Sequence, residues 1–190
     1  MFQNPKEATG KKNIKKVVVG YDLGRENAQI SYCGFDESEP ETVSAVAGGE
    51  QYNIPMVLCK RNGVGQWYYG KEALKFAGEG NGVLIEDLLT LAERGEDVLV
   101  DGEAYDPAAL LTLFVKRSLS LLNIRVSLSQ IEAFMFTVEE LTPRMVDVLG
   151  KVSAGLQLRD AHVSFQSHLE SFYAYTLHQG KELWMNDVMI

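Results

Sequence analysis

The chain has 190 residues, 46% of them hydrophobic and 23% charged, which is the composition of an ordinary globular α/β domain. Its formal net charge of −8 repels phosphate backbones and argues against a nucleic-acid partner. No apolar stretch approaches the roughly 20 residues of a membrane helix, and the N-terminus lacks a signal peptide's apolar centre, so we expect a cytoplasmic protein without membrane contacts.

The N-terminal third is predicted to be mostly strands. Residues 1–14 lack periodicity and are predicted to be a disordered leader. The β-branched run at 16–21 is predicted to pair with an alternating run at 28–35 through a tight turn at 24–27. An acidic loop follows. The next predicted elements are short strands at 42–46, 54–59 and 66–69, a helix from residue 70 and a weaker helical stretch at 83–94.

The remaining elements carry clearer start signals. A hairpin is predicted to turn at Asp101-Gly102. Asp106, Thr142 and Ser167 are each predicted to cap a helix, the first two followed by proline and the third completed by Glu170 as a capping box. The predicted elements are helices at 107–122, 143–155 and 167–178, strands at 131–138 and 161–166, and a last strand within 182–190.

This order of elements predicts the fold class. An antiparallel meander followed by helix, strand, helix, strand and helix indicates a mixed sheet with helices on both faces. We expect the strands at 16–21, 28–35, 131–138 and 161–166 to share that sheet, with the first two antiparallel. The order resembles that of the ribonuclease H-like fold.

Several segments also resemble one family within that fold. GYDLGRENAQI resembles the first phosphate-binding loop of the actin and heat-shock chaperone (DnaK-type) ATPases. IPMVL, YYGKEALKFA and the pair FTV and SHLESFYAYTL resemble later chaperone segments in the same order. The resemblance implies that residues 15–181 form the N-terminal lobe of a two-lobed nucleotide-binding protein, and that 182–190 lead into a second lobe.

The Asp-x-Gly segment is the candidate site. A hairpin between two strands can point backbone N–H groups into one concavity, and Gly24 permits close approach of a phosphate. Asp22, at the strand end, could hold Mg²⁺ through water. The resemblance implies ATP and Mg²⁺ as cofactors. The implied nucleotide-binding residues are Asp22, Gly24, Arg25, Glu26 and Asn27, with Asp22 as the metal ligand. A plain glycine turn stabilised by Asp22 is the simpler alternative.

The family's catalytic residues do not carry over. Arg25 and Glu26 stand where the chaperones have two threonines, and neither Lys71 nor Lys75 aligns with their catalytic lysine. QSHL at 166–169 replaces their Asn-Glu-Pro-Thr segment. Three functions therefore stay open: a nucleotide-binding ATPase lobe that is inactive as an isolated fragment, a degenerate scaffold for protein partners, and a sugar-kinase-like lobe. An isolated lobe is also expected to self-associate.

Other candidate sites have simpler explanations. Asp22 with Glu139 and Glu140 could hold the two metals of a nuclease, but the acidic balance argues against it. The chain's three histidines lack the spacing of a metal site and are predicted to lie at the surface or at helix ends. The run Trp67-Tyr68-Tyr69 could stack on a ligand, although such runs in strands usually pack in the core. Cys33 and Cys59 lack CxxC spacing and are predicted to be reduced thiols.

Overall fold

The computed structural model describes residues 16–46, 48–158 and 161–179. The predicted leader at 1–14 and the predicted strand within 182–190 lie outside the described residues. The strands are β1 (Val17–Leu23), β2 (Asn27–Gly34), β3 (Glu41–Thr42), β4 (Ile54–Pro55), β5 (Leu58–Arg61), β6 (Trp67–Tyr69), β7 (Gly82–Ile85), β8 (Val98–Val100), β9 (Glu103–Tyr105), β10 (Ile131–Val138) and β11 (His162–Ser167). The helices are α1 (Gly70–Gly78), α2 (Leu88–Arg94), α3 (Pro107–Leu119), α4 (Pro143–Leu156) and α5 (His168–Leu177), with short 3₁₀ turns at Ser120–Ile124 and Leu128–Gln130.

The main sheet has the order β11-β10-β1-β2-β3, and β4 also pairs with β2. β1 is antiparallel to β2 and parallel to β10, which is itself parallel to β11. The prediction that these four long strands share one mixed sheet, with the first two antiparallel, is therefore confirmed.

One face of this sheet forms the core. Alternate residues of β1, including Val19 and Tyr21, are fully buried, as the two-residue period of a strand requires. The Tyr21 hydroxyl shares a hydrogen bond of 2.5 Å with Ser118 Oγ of α3, which ties the helix to the sheet. Burial raises the pKa of Tyr21 well above its ordinary value, with the Ser118 hydrogen bond opposing part of that shift. Helices α3 and α4 begin at their predicted caps, Asp106 and Thr142.

The α3 segment is strongly apolar. Together with the 3₁₀ turn that follows it, Pro107–Ile124 is the one stretch of the described residues long and apolar enough to cross a membrane by length and composition. Half of it is buried inside the fold, and core helices pass the same test. Its place in the main hydrophobic core, with contacts to α2 and α4, therefore accounts for its apolar residues.

The predictions for residues 42–94 need three corrections. The strand predicted at 54–59 divides into β4, which pairs with β2, and β5, which belongs to a second sheet of order β6-β5-β7. The helix predicted at 83–94 is wrong in its first part, because β7 pairs there with β5 before α2 begins. Gly82 permits this pairing, since a Cβ there would lie 2.6 Å from Lys60 O. The strand predicted at 42–46 ends at residue 42. Just beyond it, Ser44 Oγ forms hydrogen bonds with the backbone of the loop, and the strand pairing does not continue.

The β8–β9 hairpin turns at Asp101-Gly102 as predicted, with φ of 52° and 80°. It is held to the second sheet by Lys60, which is 6% exposed. Lys60 Nζ lies 2.9 Å from Glu103 Oε2 and 5.1 Å above the Tyr105 ring. Contacts with Tyr105 and then Glu103 raise the pKa of Lys60. The ammonium group of Lys60 therefore links the hairpin to the second sheet through these two residues.

The aromatic run of β6 is half-buried and packs against other aromatic rings. The Tyr68 ring stacks on Phe76 with centroids 3.8 Å apart, and Trp67 meets Tyr105 edge to face at 5.3 Å. Tyr69 lies edge to face with Phe114 at 6.3 Å. These contacts favour the core interpretation of the run over stacking on a ligand.

Candidate functional site

The candidate site lies at the edge of the main sheet where the three parallel strands end. Asp22 of β1 is in register with Thr137 of β10, and Val138 is in register with Ser167 of β11. Beyond these residues β1 turns into its hairpin, β10 leads to α4, and β11 leads directly to α5. Because parallel strands end at a common edge, polar residues far apart in sequence meet here.

Asp22 is the centre of a three-residue cluster. Its Oδ1 accepts hydrogen bonds from Thr137 Oγ1 at 2.7 Å and from His168 Nε2 at 2.6 Å. The Asp22 and His168 side chains are 42% and 41% exposed. Asp22 lies on the opposite face of β1 from Tyr21 and is open to solvent rather than buried under a helix. The cluster joins the ends of β1 and β10 to the first residue of α5.

His168 is positioned by the start of α5. Ser167 Oγ accepts from the Glu170 N–H, and Glu170 Oε2 accepts from the Ser167 N–H at 2.7 Å, which is the predicted capping box. The hydrogen bonds from the backbone and hydroxyl of Ser167 lower the pKa of Glu170. This cap fixes the direction of the first turn and therefore the approach of the imidazole to Asp22.

The predicted turn at 24–27 forms, and Gly24 has a structural role within it. The φ of Gly24 is not positive; the glycine is required because a Cβ would lie 2.8 Å from Asn27 O. The Gly24 N–H donates to Asn27 O at 3.0 Å and is therefore not directed at a ligand. The Glu26 carbonyl accepts from the Met56 N–H at 2.8 Å, which pins the hairpin tip to the chain beside β4.

Arg25 crosses the edge to the loop after β10. Its Nε lies 2.9 Å from Glu139 Oε2, and the hydrogen bond and charge of Glu139 raise the pKa of Arg25. A pocket of about 150 Å³ lies beside this pair, with Glu93 and Glu140 in its wall. Three glutamates against one arginine make this side of the edge acidic, so a phosphate is disfavoured there.

The donors around Asp22 do not fit the Mg²⁺ that the resemblance implies. Mg²⁺ prefers an octahedron of oxygens, whereas the nearest neighbour of the carboxylate is an imidazole nitrogen. Asp22 Oδ1 already accepts two hydrogen bonds, and Glu139 is bound to Arg25. No three His, Cys, Asp or Glu residues in the described ranges form a metal cluster. This also argues against the two-metal nuclease site.

The two lysines considered for catalysis lie on α1. Lys71 donates to Gln51 Oε1 and borders a second cavity of about 400 Å³ with Ile54 and Tyr69 in its wall. Lys75 is exposed in the last turn of α1. In the described part of the chain, neither lysine has a hydrogen bond or ion pair with Asp22.

Thr137 and His168 are the site residues that the sequence did not predict. Both lie at or just beyond the carboxyl ends of predicted strands, and that position was the available signal. The other histidines agree with the prediction of surface and helix-end positions. His162 is exposed at the start of β11, and His178 Nδ1 lies 2.7 Å from Ala174 O at the end of α5.

Residues 39–190, most of the chain, match the family described as "Family of unknown function (DUF5716) C-terminal". The chain belongs to this family. The DUF5716 match begins after β2, so Asp22 and its hairpin precede the matched residues, whereas Thr137, Glu139 and His168 fall within them. No curated protein matches the chain.

Proposed function

We propose that the chain is a nucleotide-binding lobe of the actin and heat-shock chaperone type, built on a ribonuclease H-like sheet and working in the cytoplasm. The observation that carries this proposal is the position of Asp22. It lies at the carboxyl end of β1. The sheet has the order β11-β10-β1-β2-β3, and within it β1 pairs antiparallel with β2. An antiparallel hairpin followed by parallel strands on the other side of β1 supports the proposal of a ribonuclease H-like sheet.

The location of the cluster supports a ligand site. In α/β sheets, ligands bind outside the carboxyl ends of the strands, where neighbouring connections diverge. Here the connection after β1 returns as a hairpin, while the connection after β10 crosses through α4 to the next parallel strand. Asp22, Thr137 and His168 lie at that divergence. The glutamates near Arg25 direct an anionic ligand to the Asp22 side of the edge.

A degenerate scaffold is the second candidate, and one observation favours it. The Gly24 amide, Arg25 and Asp22 each have a partner within the protein, so three of the predicted nucleotide-binding residues are already engaged. Both candidates predict that the chain alone does not hydrolyse ATP. Preorganised, water-excluded donors stabilise a transition state, and the Asp22 cluster is open to solvent.

Amide NMR spectra of the 190-residue chain during titration with ATP separate these candidates, because chemical shifts detect even weak binding. We expect shifts concentrated at residues 22–27, 137–140 and 167–168. Asp22→Ala should weaken binding by about tenfold, equivalent to ~1.4 kcal/mol. Asp147→Ala is the matched control, since Asp147 is exposed on α4. If the signals of these residues stay unchanged up to millimolar ATP, nucleotide binding is rejected and the scaffold is favoured.

A further inference from the structure

The contact between Asp22 and His168 bears on which cofactor can bind at the carboxyl edge, the edge of the main sheet formed by the carboxyl ends of β1, β10 and β11. The imidazole Nε2 lies 2.6 Å from Asp22 Oδ1, and the Thr137 hydroxyl donates to the same oxygen at 2.7 Å. A Mg²⁺ ion bound to this oxygen would have to displace at least one of these donors. His168 could not then serve as a substitute ligand, because Mg²⁺ selects oxygen donors and keeps several waters.

Two carboxylates near the cluster along the chain are also engaged. Glu139 binds the Arg25 guanidinium, and Glu170 accepts hydrogen bonds from the backbone and side chain of Ser167. Neither is therefore free to complete a Mg²⁺ site without loss of the Arg25 contact or of the α5 cap. At Oδ1, Asp22 thus has an imidazole nitrogen beside it and not a further oxygen ligand.

We infer that this edge holds a phosphate ligand without Mg²⁺, and that the Asp22–His168 pair takes the place of a carboxylate-bound metal. This inference rests on the proposed nucleotide-binding function. Asp22 is then a positioning residue, since it orients the imidazole, whose exposed part can meet a phosphate.

The first test uses Mn²⁺ alone, whose unpaired electrons broaden the NMR signals of nearby residues. We expect no selective broadening of Asp22, Thr137 or His168 in the wild-type chain. His168→Glu supplies the missing oxygen donor and should introduce broadening at these positions. His168→Gln, which removes the imidazole without adding a carboxylate, should not. Selective broadening in the wild type, or none in a folded His168→Glu variant, would overturn the inference.

The second test requires no substitution and so does not depend on the folding of a variant. The wild-type chain is titrated with ATP in EDTA and again in excess Mg²⁺, and the shifts at the carboxyl edge are compared. We expect the two dissociation constants to agree within about twofold. Binding tighter by about tenfold or more with Mg²⁺ would overturn this inference alone. No shifts in either buffer would reject the proposed function and this inference with it.

Discussion

Two glycines of α4 provide a matched test of how this helix packs on α3. An ideal Cβ at Gly150 meets nothing within 4 Å, whereas one at Gly155 lies 2.5 Å from Thr112 Cγ2. Thr112 cannot simply rotate away, because its Oγ1 donates to Ala108 O at 2.7 Å. The same substitution in one helix should therefore have opposite effects at the two positions.

The magnitudes follow from these distances. Gly150→Ala should stabilise the protein by about 0.5–1 kcal/mol, since alanine loses less backbone entropy in a helix. Gly155→Ala should destabilise it by about 1–3 kcal/mol, the usual cost of overpacking. The two variants should thus differ by ~1.5–4 kcal/mol, which is at least about 3 °C in Tm for a domain of this size.

The assay is urea denaturation followed by circular dichroism, with thermal melts as a second measurement. Thr112→Ser keeps the hydroxyl and removes the overlapping methyl group, so in combination with Gly155→Ala it should recover most of the lost stability. If Gly155→Ala is as stable as Gly150→Ala, or if Thr112→Ser gives no recovery, the α3–α4 contact described here is wrong.

Three further predictions concern polar contacts. Ser118→Ala should cost about 1–3 kcal/mol in urea unfolding and more than Tyr21→Phe, because it leaves a buried phenol unpaired; equal costs would contradict this. Burial and the Glu41 contact raise the pKa of Tyr32 to about 12 from 10.0, so stability should fall as the pH rises between these values, and less so in Tyr32→Phe. The Glu170 pKa is lowered, so the cap of α5 should weaken as the pH falls through it; amide exchange should show no such loss in Glu170→Gln.

Residues 107–179 were the most predictable part of the chain, for a local reason. Asp106 and Thr142 cap α3 and α4 through hydrogen bonds to N–H groups two and three residues away. The Ser167–Glu170 capping box acts over the same distance. Because a capping signal spans only a few neighbouring residues, it can be recognised from the sequence alone. The helices α3, α4 and α5 and the strands between them accordingly lie close to their predicted positions.

Residues 42–94 were less predictable because their strands are short and depend on distant partners. β7 has four residues and an apolar pattern that continues into α2, so its period alone did not distinguish strand from helix. Pairing with β5 decided the outcome. The division between β4 and β5 likewise depends on distant partners, since the first part of this apolar run pairs with β2 and the second part pairs with β7.

The sequence by itself determined where the long strands lie along the chain, where the helices start and that Asp22 stands at the end of β1. Each of these depends on a local pattern. Tertiary structure alone decided the partners of Asp22. Thr137 and His168 are 115 and 146 residues away from it in the chain, and only the parallel register of β1, β10 and β11 brings them to one carboxylate. Since charge and donor type at a site depend on such partners, the sequence alone could not show that an imidazole lies 2.6 Å from the carboxylate that was expected to hold Mg²⁺.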